Sequence, residues 1–250
     1  MISDSELKQQ LENRKEIINY VKNNFNSFVI RAGNAAIKKY STRCDGIGKL
    51  NPSMIIYSRD NGLKKGRFIK EKGENTDYCI FESDKDNNPL RIRKYNKFGC
   101  ESTFYFYTKD NTTYAVSFFK DTQEVYKYIY TYTIVDGRLY ECSQIEETGV
   151  VLEKYDYTSE KDGIIKCDWC SYHDFSYSQN KNIKDNMSLF FTEKLKSHII
   201  DDNIKIPTNQ SPPKREDYQY LINNAGTKEY YISEYKLCNG EYKKTRELRK

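Results

Sequence analysis

Two thiols and an imidazole stand close together in Cys167-Asp168-Trp169-Cys170-Ser171-Tyr172-His173. A C-x2-C pair binds zinc where the backbone turns, and Cys142 or His198 would complete four ligands. A Cys–His pair is also the raw material of a nucleophile and its base. Strand parity works against both uses. Successive side chains of a strand alternate faces, so Cys167 and Cys170 point apart, and so do Cys170 and His173. The segment holds no Gly or Pro to break the strand. The expectation is therefore no metal site and no cofactor. There is no P-loop, dinucleotide fingerprint, nucleophile elbow or metalloprotease helix motif. The chain has only two histidines, His173 and His198. The carboxylate pairs Glu146-Glu147 and Asp201-Asp202 are sequence neighbours on expected surfaces. This inventory leans away from an enzyme and toward binding.

The parity that separates the thiols gathers tyrosines. Tyr126, Tyr128, Tyr130 and Tyr132 line one face of a strand. Such a row would serve as a partner-binding surface, because Tyr offers large contact area at low entropy cost. Cross-strand packing on a half-wet sheet is the competing reading. With Asp136-Gly137 as a two-residue turn, Ile134 faces Leu139, Tyr132 faces Glu141, Tyr130 faces Ser143 and Tyr128 faces Ile145. Arg91, Arg93, Tyr95 and Lys97 share another strand face. Basic groups mixed with an aromatic could follow a phosphate backbone and stack a base. A solvated outer face, diluted by Asp84 and Asp86, is the bland alternative.

These residues need elements to position them. Ser3 and Glu6 have capping-box spacing. Leu7, Leu11, Arg14, Ile18, Val21, Phe25 and Phe28 then trace a helical stripe with one polar interruption. A second helical piece is expected over Ala32 to Lys39, and a loop over Cys44 to Pro52. From Met54 onward turn signals recur about every 12 residues, the spacing of an all-β meander. They are Asp60-Asn61-Gly62, Gly73-Glu74-Asn75, Asp84 to Asn88, Asn96 to Gly99, Lys109 to Asn111, Lys120-Asp121, Asp136-Gly137, Thr148-Gly149 and Lys161 to Gly163. β-Branched and aromatic runs such as Thr103 to Tyr107 lie between them. A helix over about 186–200, a linker over 207–213 and returning strands such as Tyr230 to Tyr235 follow. Those strands extend the sheet or cover its edge.

Composition sets outer bounds. The chain has 250 residues, 14% aromatic with 23 tyrosines, and a formal charge of only +5. Disordered chains are aromatic-poor and strongly charged, so the low mean hydropathy reflects tyrosine rather than disorder. The last eight residues hold five bases and one acid, which leaves residues 1–242 with 36 bases against 35 acids. A nearly neutral body exerts no global pull on nucleic acid or membrane. The basic end reads as a frayed terminus or a contact arm. No run is long and apolar enough to span a membrane, and Met1 to Glu6 does not resemble a signal peptide. Cytoplasmic localisation is the expectation. Seven cysteines, an odd number, argue against a disulfide framework.

An aromatic residue, a short polar step and a turn glycine recur in Tyr57 to Gly62, Tyr95 to Gly99, Tyr132 to Gly137 and Tyr157 to Gly163. This pattern, over about residues 54–165, resembles the MORN-type β-hairpin repeats found in some bacterial antitoxin and immunity proteins. The resemblance implies a sheet that binds a protein partner without chemistry of its own. It carries over no functional residues.

The sequence thus predicts a mainly β (α+β) protein. A long antiparallel β-meander (51–206) follows an N-terminal helical segment (1–50) that packs on it. A linker (207–213) leads to a C-terminal β-hairpin and basic tail (214–250). The expected function is a non-catalytic protein-binding module, an immunity or antitoxin protein in its sharpest form. Nucleic-acid binding through the Arg91/Arg93/Tyr95 face, or an enzyme without a recognisable motif, are the alternatives. Membrane association and a metal are not expected, and the tyrosine and arginine faces are the candidate partner-binding residues.

Overall fold

The computed structural model describes residues 1–42, 67–71, 77–119, 124–160, 163–174, 176, 213–223 and 231–249. Helix α1 spans Asp4–Asn23 and α2 spans Phe25–Gly33. Strands β1 (Ile37–Ser41), β2 (Phe68–Ile69), β3 (Tyr78–Ser83), β4 (Pro89–Asn96) and β5 (Gly99–Lys109) follow. Then come β6 (Thr112–Phe119), β7 (Val125–Val135), β8 (Arg138–Ile145), β9 (Gly149–Asp156) and β10 (Ile164–His173). The last three are β11 (Lys214–Asn223), β12 (Tyr231–Cys238) and β13 (Glu241–Arg249). All thirteen join one antiparallel sheet, in the order β13 back through β3 and then β1 and β2. Each strand from β4 onward lies beside its neighbours in the chain, as a meander requires.

The turns obey local stereochemistry. Asp136 and Gly137 both have positive φ (50° and 76°), as do Asn239 and Gly240 between β12 and β13. Two consecutive residues in that region make a turn whose twist suits the flanking strands. Asp84 closes the β3–β4 turn by accepting from the Asp86 and Asn88 backbone N–H groups at 2.9 and 2.8 Å.

Helix α1 begins with the expected capping box. Ser3 Oγ accepts from the Glu6 N–H at 3.3 Å, and Glu6 Oε2 accepts from the Ser3 N–H at 2.8 Å. Asn24 interrupts the helix, its side chain donating to the Tyr20 carbonyl at 2.8 Å. Leu7, Leu11, Ile17, Val21, Phe25, Phe28 and Ala32 are buried along the α1–α2 stripe. They pack on Tyr105, Tyr107, Val116, Phe118, Ile129, Ile145, Val150, Leu152 and Tyr172 of the sheet. We name this the helix face. Phe25 meets Phe118 and Tyr105 edge-on at 5.3 and 5.5 Å between ring centroids, a favoured aromatic geometry. Arg14, the polar interruption, is partly buried there, and its Nε has no hydrogen-bond partner among the described residues. Burial pushes its pKa down against the opposing pull of Glu147 and Glu146.

The far face has its own core. Phe81, Ile92, Phe104, Phe106, Ala115, Tyr130, Tyr132 and Cys142 form one cluster. Tyr155, Cys167, Tyr220, Ile222 and Ile232 form another.

Three sequence expectations change, and one open alternative is decided. The helical piece expected over Ala32 to Lys39 stops at Gly33, and Ile37–Ser41 becomes β1. Its pairing with β3, Ile37 opposite Ser83 through Ser41 opposite Cys79, supplies backbone partners that outweigh the local helical signal of Ala35 and Ala36. The strands after the linker extend the meander, with β11 paired along the length of β10. The basic end is the edge strand β13, not a frayed terminus. Its row of Lys and Arg side chains is a common device for discouraging edge-to-edge pairing. The β7–β8 register also shifts. Ile134 faces Leu139 as expected, but a bulge follows at Thr133/Ile134. Tyr132 therefore faces Cys142 and Tyr130 faces Gln144, because one extra residue in β8 advances every later pair. The helix expected over 186–200, His198, residues 207–212, the Cys44 to Pro52 loop and the turn signals at Gly62, Gly73 and Lys120-Asp121 lie outside the described residues.

Candidate functional site

Strand parity places the thiols as expected. Cys167 lies in the far-face core and Cys170 in the helix-side core. His173 lies opposite Gly149, and its ring fills the space that a side chain at Gly149 would occupy. Burial raises the Cys142 and Cys167 thiols well above their ordinary pKa, with nearby Glu153 adding to the effect. The Cys170 thiol is pushed up to about 12, chiefly by burial. Such thiols are protonated and poorly nucleophilic. No group of three or more His, Cys, Asp or Glu side chains among the described residues is placed to hold a metal.

The tyrosine ladder belongs largely to the interior. Tyr130 and Tyr132 are 6% and 3% exposed and pack with Phe104, Phe106 and Cys142. Tyr128 is half-buried, 5.9 Å from the Tyr130 ring. Tyr126 lies within β7, but its side chain falls outside the described residues. Two of the four rings thus spend their area on the sheet's own core.

The face they occupy does reach solvent farther along. Register aligns Tyr132, Cys142, Glu153, Trp169, Tyr218 and Lys236 across β7 to β12. The row starts in the core, where Cys142 and Glu153 are fully buried. It emerges at Trp169, Tyr218 and Lys236, all partly exposed. Trp169 meets Tyr218 edge-on at 5.3 Å, and Lys236 Nζ lies 5.3 Å from the Tyr218 ring centroid. The next row carries Tyr155, Cys167, Tyr220, Glu234 and Arg246. There Glu234 accepts from Thr245 at 2.6 Å, Arg246 at 2.7 Å and Tyr220 at 3.1 Å. Burial opposes its ionisation, but these hydrogen bonds and the Arg246 charge hold its pKa below the ordinary range. The sequence reading missed this surface because Trp169 was weighed only as part of the Cys167 to His173 cluster. Tyr218, from a strand 45 or more residues later in the chain, becomes its neighbour only through β10–β11 pairing.

The arginines sit on the helix face, on β4, a strand that α2 also contacts. Arg91 and Arg93 both donate to Glu82, Arg93 Nη2 to Oε1 at 2.8 Å. Their side chains are 13% and 20% exposed, against 6% for Glu82. Burial would lower the Arg91 pKa, but its bonds to Glu82 and Tyr105 raise it overall. Tyr95 stacks on Tyr78 at 4.8 Å with ring planes 1° apart.

A small cleft of about 330 Å³ opens between α1 and strands β8 and β9, lined by Ser5, Glu6, Gln9, Gln10, Glu141 and Leu152. Lys154 bridges its two carboxylates, bonding to Glu6 and lying 3.6 Å from Glu141. Hydrogen bonds from Lys154 and Ser3 lower Glu6 to about 2, while burial raises Glu141. An open cleft whose carboxylates are held by one internal lysine reads as the seam that fastens α1 to the sheet. Against protein-family models, curated proteins and solved structures, the chain finds no match.

Proposed function

We propose that the chain is a non-catalytic protein-binding module that engages its partner through the far-face surface around Trp169, Tyr218 and Lys236. The observation that carries this is the register-aligned row running from the buried Tyr132 out to Trp169 and Tyr218. A rigid core beneath partly exposed Trp and Tyr rings lowers the ordering cost of binding. Trp, Tyr and Arg also dominate the residues that carry interface energy. The immunity or antitoxin form, in which one sheet face covers a toxin's active surface, is the sharper version of the same proposal.

The test begins with purification from the native host and identification of a stoichiometric partner. The complex is then rebuilt from two purified proteins and titrated by calorimetry. Trp169→Ala and Tyr218→Ala are each expected to weaken it by about 30-fold or more, roughly 2 kcal/mol. Both rings also pack against the far-face core, so the melting temperature of each variant is measured beside its affinity. Tyr130→Ala should instead cost about 3–5 kcal/mol of stability, as a buried aromatic does. A complex indifferent to both surface substitutions sinks the proposal, as does the absence of any stoichiometric partner.

A further inference from the structure

We propose that strands β1, β3 and β4 carry a second site, on the helix face and distinct from the Trp169 surface, that binds single-stranded nucleic acid. Three register rows build it. Tyr78 lies opposite Tyr95, Tyr40 is aligned with Ile80 and Arg93, and Lys38 is aligned with Glu82 and Arg91. Tyr78 and Tyr95 are parallel at 4.8 Å, and the Tyr40 ring lies 6.4 Å from Tyr78. All three rings are partly exposed. The Arg93 guanidinium carbon lies 5.9 Å from the Tyr95 centroid, and Lys38 Nζ lies 5.7 Å from that of Tyr40. Cations are thus held against rings in the manner of a stacking platform.

The charge balance selects an anion. Lys38, Arg91 and Arg93 supply three positive charges, and Glu82 is the only carboxylate bonded to either arginine among the described residues. Both Glu82 oxygens are already taken, one by each arginine. One arginine elsewhere in the sheet is answered more fully. Arg215 has both oxygens of Asp217, then Asp4 and the Ile2 carbonyl. At Arg93 the Nε finds no partner among the described residues. The surplus of about two charges beside three tyrosine rings matches phosphates and unstacked bases together. A duplex hides its base faces, so a flat row of rings gains nothing from it.

The test uses the full chain and a labelled oligothymidylate of about 15 nucleotides, read by fluorescence anisotropy across a salt series. Binding should be measurable at low salt. With two to three phosphates neutralised, log K should fall against log salt with a slope of about −1.4 to −2. Arg93→Ala and Tyr95→Ala should each weaken binding by about 10-fold, whereas Tyr95→Phe, which keeps the ring, should bind like the parent. Trp169→Ala should leave this binding unchanged. Circular dichroism of each variant checks the fold, and Tyr95→Phe keeps the comparison decisive if Tyr95→Ala unfolds. No binding at the lowest salt overturns the proposal. So does equal affinity for a duplex, or binding that survives Arg93→Ala together with Tyr95→Ala. Loss of the protein complex by Trp169→Ala bears on the other surface alone.

Discussion

Glu82→Gln tests whether one buried carboxylate holds the β3–β4 end of the sheet together. Glu82 is 6% exposed and accepts from two guanidiniums that are themselves 13% and 20% exposed. Glutamine keeps the volume and one acceptor oxygen. It replaces the other oxygen by an NH2 that faces a donor. One charge-assisted hydrogen bond is lost outright, worth about 1.5–3 kcal/mol. Two partly buried cations are also left without a counter-charge, and breaking such a pair from one side costs about 3–5 kcal/mol. Arg93 retains some access to water, which places the expected loss near the lower bound, at about 3 kcal/mol. For a domain of this size that is a fall in melting temperature of about 6–12 °C. Urea unfolding followed by circular dichroism reads it as a lower midpoint at unchanged slope. Arg93→Met should cost less, because Glu82 keeps Arg91. A loss below about 1 kcal/mol for Glu82→Gln would refute the reasoning, since the arginines would then be solvated well enough to need no partner.

Gly149→Ala drives a methyl into the His173 ring, against Nδ1 and 2.6 Å from Cε1. It should cost about 1–3 kcal/mol, most of it recovered in the double variant with His173→Ala. A double variant no more stable than the single would point to another cause. Among the described cysteines, alkylation at mildly alkaline pH read by mass spectrometry should reach Cys100 and Cys238 first. The buried Cys142 and Cys167 should be labelled only as fast as the protein unfolds. Glu6, lowered to about 2, stabilises the fold fully above its unfolded value of 4.5 and progressively less as pH falls toward 2. Its side chain is 41% exposed, so solvent limits the effect to about 1 kcal/mol. Glu6→Gln should flatten the stability difference between about pH 6 and about pH 3, and an unchanged slope would exclude the Lys154 pair as its source.

The meander was legible because its signals are local. Asp136-Gly137 needs positive φ at both residues, and the capping box needs only Ser3 and Glu6. Strand parity also put Cys167 and Cys170 on opposite faces without any structure. The β7–β8 register was not legible, because a single bulge moves Tyr132 from Glu141 to Cys142 and no turn residue announces it. Nor could parity say which face is buried. It grouped Tyr128, Tyr130 and Tyr132 correctly, but burial of Tyr130 and Tyr132 depends on rings from β5 and a thiol from β8. The segment Ile37–Ser41 becomes a strand only because β3 offers it an edge. Trp169 and Tyr218 meet for the same long-range reason, so no local pattern marks that surface.

The α1 seam has a consequence for how the chain is made. Asp4 at its start is fastened to a partner made much later, Arg215, across 211 positions of sequence. At typical ribosomal speeds that separation is about 10–40 s. Until Tyr172 is made, Leu7, Leu11, Ile17 and Val21 form an apolar stripe with part of its docking surface still untranslated. A nascent chain in this state is a natural client for a ribosome-bound chaperone. Synonymous changes that slow translation between β8 and β11 should therefore lower soluble yield without altering the purified protein.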